Sequence, residues 1–72
     1  MHVFQDGEPI VIVYRSESGV QGKLRVEYCD PPIVLDSSGK TCLHFYIYEP
    51  DGCTDLMALD TVVELRRDPA PR

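Results

Sequence analysis

Apolar and polar positions alternate along most of this chain with a period of two, and the pattern is sharpest between Thr41 and Tyr48. Thr41, Leu43, Phe45 and Ile47 share one parity; Cys42, His44, Tyr46 and Tyr48 share the other. Successive side chains of a strand point to opposite faces, so the pattern predicts a strand with one face on a core and a polar-aromatic face outward. Lys23–Tyr28 repeats the arrangement, with Leu24, Val26 and Tyr28 predicted inward and Lys23, Arg25 and Glu27 outward. Ile10–Arg15 is β-branched and apolar on both parities up to Arg15, the signature of a central strand. Asp55–Leu59 and Val62–Leu65 read as two further strands, and Ile33–Leu35 as a very short run that leads into the hairpin.

Turn chemistry separates these runs. Ser16–Gly22 carries Gly19 and Gly22, either of which tolerates a positive φ, and Asp36-Ser37-Ser38-Gly39 reads as a hairpin turn. Asp30-Pro31-Pro32 interrupts strand pairing, because neither proline has an amide donor, and so marks a corner. Pro50-Asp51-Gly52 ends the fourth run. Asp60 is placed to cap a single 3-10 turn before Val62. No window of about 11 residues has sustained apolar spacing at i, i+3 and i+4, so no long helix is predicted. The fold class that follows is all-β: a small five-stranded antiparallel barrel of the Sm-like or Src-homology-3-like type, closed because closure removes exposed edges. Residues 1–8 form a lead, 9–66 the single domain and 67–72 a flexible tail. Leu24, Val26, Leu43, Phe45, Ile47 and Leu59 form its predicted core.

A chain of 72 residues is one domain, and at that size only about 60% of the unfolded surface is buried, which leaves little room for a deep active site. Met1–Gly7 lacks the charged start and apolar run of a signal peptide, and no apolar stretch approaches the roughly 18 residues of a membrane span. The expectation is a cytoplasmic chain with no membrane partner. A net charge of -5 opposes the phosphate backbone and argues against independent nucleic-acid binding.

Candidate chemistry is sparse. Cys29, Cys42 and Cys53 form no Cys-x-x-Cys pair, so the expectation is three reduced thiols and no metal. Cys42 and His44, two apart on one strand face, are about 7 Å apart, beyond the reach of a thiol and its base. Asp51 and Asp55 lie at a turn without a pocket, and no glycine-rich phosphate loop is present. These readings predict a non-enzymatic module without cofactors.

Recognition is then assigned to Arg15, Arg25, His44, Tyr46 and Tyr48, since arginine holds carboxylates or phosphates through parallel bonds and aromatic rings supply contact area with a polar tip. The partner is a protein or a small ligand. The alternative is an acidic mimic presenting Glu49, Asp51, Asp55 and Asp60, from a stretch without Lys or Arg, to a basic site on a nucleic-acid enzyme.

Ile12-Val13-Tyr14-Arg15, Arg25-Val26 before the proline corner, Leu43 in the hairpin strand and the closing Met57-Ala58-Leu59-Asp60-Thr61-Val62 together resemble the WYL domain of bacterial transcription regulators. The closing segment is similar to that family's Phe-x-Leu-Asp-Arg-Ile pattern. The resemblance implies a small Sm-like or Src-homology-3-like barrel with a regulatory, ligand-sensing role. Thr41-Cys42-Leu43 stands where the family carries Trp-Tyr-Leu, and Thr61 where it carries Arg, so only the leucine of the triplet is kept.

Overall fold

The computed structural model describes residues 4–47 and 53–69. Five strands form a single antiparallel sheet: β1 (Pro9–Arg15), β2 (Gln21–Leu35), β3 (Thr41–Tyr46), β4 (Thr54–Ala58) and β5 (Val62–Arg67), with a 3-10 turn over Leu59–Thr61. The spatial order is β4-β3-β2-β1-β5. β1 is therefore an interior strand, flanked by β2 and β5, which suits its two apolar parities, while β2 takes the middle of the sheet. Three successive neighbours are joined by hairpins, and β5 returns to the far side of β1. The sheet is open in its pairing, with β4 and β5 at its ends.

The two hairpins that lie wholly within the described residues are built alike. Ser16 N donates to Val20 O and Gly19 N to Ser16 O, each at 2.9 Å; Asp36 N donates to Lys40 O at 2.9 Å and Gly39 N to Asp36 O at 3.0 Å. Gly19 and Gly39 take φ of 87° and 86°, the left-handed region that glycine enters without a Cβ penalty. Gly22, in contrast, lies within β2, where a Cβ would come within 2.6 Å of the Tyr14 ring. Its role is to admit the ring of the residue that opposes it on β1.

β2 differs most from the sequence reading. Lys23–Tyr28 and Ile33–Leu35 are parts of one 15-residue strand. Tyr28 pairs with Phe45 and Ile33 with Leu43, so Cys29-Asp30-Pro31-Pro32 opposes His44 alone. The proline segment, whose Asp30-Pro31 bond is cis, is accommodated as a wide bulge. The strand thus bends without ending: its first half pairs with β1 and its second with β3.

The buried core is Ile10, Ile12, Val26, Leu43 and Phe45, packed against Phe4, Tyr14, Tyr28, Met57, Val62 and Leu65. Three members of the predicted core depart from it. Leu24 opposes Ile12 on the correct face but is 39% exposed near the start of β2, and Leu59, in the 3-10 turn, is 37% exposed. Ile47 is only partly buried, just past the end of β3. For Leu24 the parity held and depth along the strand decided burial, whereas Cys42, on the parity read as outward, is only 4% exposed. Asp60 lies inside the 3-10 turn instead of capping it, and Thr61 Oγ1 donates to Ala58 O at 2.7 Å.

The ends of the domain also differ from expectation. β5 runs through Arg67, and Asp68 is buried, with its amide bonded to Pro9 O at 3.2 Å. In the lead, Gly7 N donates to Tyr28 O at 2.7 Å and Asp6 Oδ1 accepts from Asp30 N at 2.8 Å, which seats residues 5–8 against the corner of β2. Among the described residues, no helix is long and apolar enough to cross a membrane.

Candidate functional site

Outward residues of β2 organise the polar face. Lys23, Arg25, Glu27 and Cys29 alternate with the inward Leu24, Val26 and Tyr28, and the register sets Glu27 opposite Tyr46. Arg25 is therefore a diagonal neighbour of Tyr46 on that face. His44 occupies the next outward position on β3 and meets the bulge, where its Nδ1 lies 3.4 Å from Cys29 Sγ. The structure thus brings Arg25, His44 and Tyr46 to one side of the sheet. Arg15 shares the face but sits four residues along β1 from Val11, the partner of Arg25, or about 13 Å away. Arg15 Nη2 instead donates to Gln21 Oε1 at 3.5 Å. Tyr48, with Glu49 and Asp51, lies outside the described residues.

His44 and Tyr46 are half-buried. The Tyr46 hydroxyl is pushed above the usual tyrosine pKa, first by its hydrogen bond with Cys29 and then by the negative charge of Asp6. A phenol, an imidazole, a thiol and a carboxylate therefore converge at the bulge. Cys29 itself is only 5% exposed. Cys42, expected about 7 Å from His44 and out of its reach, turns toward the β2–β3 hairpin, 3.8 Å from Asp36 Oδ2 and 3.6 Å from Lys40 O. Its burial, followed by the Asp36 charge, raises its pKa. The structure holds all three cysteines as thiols, with Cys53 at the surface. Among the described residues, no cluster of three or more His, Cys, Asp or Glu has the geometry to hold a metal ion.

Arg25 carries a relationship that the sequence pattern did not suggest. Its Nε donates to Asp68 Oδ2 at 2.9 Å, and the Asp68 side chain is almost wholly buried while that of Arg25 is half-exposed. The pair joins the start of β2 to the end of β5 across 43 residues. Of the acidic set, Asp55 and Asp60 are exposed, and Asp60 Oδ2 lies 3.6 Å from Lys40 Nζ.

Cys29 could have been placed on this face from its parity with Lys23, Arg25 and Glu27. Asp6 and Asp68 could not, because their contacts depend on where the chain ends return. No family model, curated protein or solved structure matches this chain.

Proposed function

We propose that this chain is a non-enzymatic binding module whose bent sheet curls into a small Sm-like or Src-homology-3-like barrel, and which recognises a protein partner or small ligand through Arg25, His44 and Tyr46. The five antiparallel strands, the bend of β2 at its proline bulge and the 3-10 turn before β5 support the curled-sheet part of this reading. The observation that carries the functional reading is the outward row on β2, which sets a guanidinium diagonal to a phenol and a thiol against an imidazole. Such a surface offers ring area and fixed polar tips to a partner.

Capture by the immobilised chain tests this reading. Replacing His44 and Tyr46 with Ala abolishes capture while the melting temperature changes little, and Arg25→Lys weakens it while keeping a cation beside Asp68. Reversing charge at the exposed Asp55 and Asp60 leaves capture intact. The opposite pattern, with steep loss of capture on adding salt, would replace this reading with the acidic mimic.

A further inference from the structure

The register of β2, β1 and β5 puts Arg25, Val11 and Arg66 in one row across the outer face and Lys23, Val13 and Glu64 in the next. Val11 and Val13 are buried although they point away from the core. The register sets the alkyl stems of Arg25 and Arg66 on either side of Val11, with Lys23 lining the same groove, a placement in which long side chains cover an apolar residue while their charged heads stay at the rim. Between those heads runs a groove of about 460 Å³ lined by Val11, Lys23, Arg25, Arg66, Arg67, Asp68 and Pro69.

Charge is distributed unevenly around this groove. The chain has seven Lys and Arg against twelve Asp and Glu, yet four of its cations and one of its carboxylates line the groove. We infer that the groove is a docking site for an acidic peptide segment of a partner protein, with carboxylates on Lys23, Arg25 and Arg66 and an apolar side chain against Pro69 and the side-chain stems that cover Val11. This inference rests on the binding-module reading and adds the chemistry of the partner.

Three features favour that occupant. Arg66 is paired with Glu64 in solvent, both side chains about half-exposed, where an ion pair contributes little and is exchanged for an incoming carboxylate at little cost, whereas Arg67 stays with the largely buried Glu8. Guanidinium groups hold carboxylates through two parallel bonds, which gives a short segment both affinity and register. The remaining eleven acids repel a long polyphosphate, whereas a peptide with a few carboxylates can concentrate its charge in the groove.

The test is fluorescence anisotropy of a labelled peptide in which Asp and Glu flank a central Leu, titrated with the full chain at low and physiological salt. The peptide binds, and its affinity falls as salt rises. Lys23→Met combined with Arg66→Met keeps the stems over the valines and weakens binding by about tenfold or more, in line with the loss of two charge-assisted contacts. Arg66→Lys, which keeps the charge but loses the paired bonds, weakens binding less than the double variant does, and Lys40→Gln, outside the groove, leaves it unchanged. Equal binding by the double variant, equal binding of the Asn and Gln version of the peptide, or tighter binding of a single-stranded oligonucleotide through the same residues overturns the inference. Failure of the peptide to bind while capture still depends on His44 and Tyr46 removes the groove alone. Capture that is indifferent to His44 and Tyr46 removes the binding-face reading whatever the peptide does.

Discussion

Cys29 Sγ lies 3.4 Å from His44 Nδ1, one step past the Tyr28–Phe45 pair, so the register of the β2–β3 ladder brings these two side chains face to face. The bulge begins at this pair: four residues of β2, Cys29 to Pro32, stand opposite His44 before pairing resumes at Ile33 and Leu43. A thiol beside an imidazole is the pairing used in nucleophilic catalysis, but accessibility decides what such a thiol does. Here burial dominates.

Thiol labelling under native conditions should therefore separate the cysteines by exposure. Cys53 is exposed, whereas Cys29 and Cys42 are 5% and 4% exposed, and the raised pKa of Cys42 further lowers its thiolate fraction. One fast equivalent per chain is expected, removed by Cys53→Ser, with two more appearing on unfolding. Rapid labelling of Cys29 in the folded protein would show that the bulge opens readily.

Core substitutions should rank by depth along the strands. Phe45 is 3% exposed and Leu24 39%, although both occupy inward parity. Phe45→Ala should cost about 3 to 5 kcal/mol, and Leu24→Ala about 1 kcal/mol, because a partly exposed side chain leaves a smaller cavity and loses less transfer energy. Urea denaturation of the two variants measures both. Equal costs would mean that Leu24 is covered in solution.

The contrast between Phe45 and Leu24 also shows what the sequence could reveal. Period-two alternation assigned Val26, Leu43 and Phe45 to the core and Arg25, His44 and Tyr46 to the outer face, because parity is a local property of the backbone. It could not show that Leu24, though inward, stays 39% exposed, or that Leu59 lies in an exposed turn. Asp30-Pro31-Pro32 was legible as an interruption of pairing, but whether prolines end a strand or bulge it depends on the partner strand opposite. The Arg25–Asp68 pair joins residues whose proximity depends on β5 returning beside β1, and no local pattern encodes that.

Arg25 should be structurally costlier than its half-exposed side chain suggests. Removing its guanidinium takes a charge-assisted bond of 2.9 Å from a carboxylate that is almost entirely buried. Arg25→Ala is expected to cost about 2 kcal/mol, the range for hydrogen bonds to charged groups, whereas Arg15→Ala should cost close to nothing. Chemical denaturation of both variants, with Arg25→Lys between them, gives the ranking. Equal stability of Arg25→Ala and Arg15→Ala would mean that Asp68 does not depend on the Arg25 guanidinium.

Asp36 should make the β2–β3 hairpin sensitive to acid. Its Oδ1 accepts from Ser38 Oγ at 2.6 Å, Ser38 N at 2.8 Å and Lys40 N at 2.9 Å, and these bonds, led by the Ser38 hydroxyl, hold its pKa below the ordinary 3.8. A carboxylate whose pKa is lower in the folded than in the unfolded chain contributes stability that is fully present above the unfolded value and is lost as pH falls through the folded one. The destabilisation caused by Asp36→Ala should therefore be constant from neutral pH down to about 5 and shrink below pH 3.8 as the parent protonates. Comparing parent and variant at each pH cancels the contribution of the other carboxylates. A difference in urea midpoint that stays the same down to pH 2 would show that the turn is held by its backbone bonds and Gly39, with the Asp36 charge irrelevant to it.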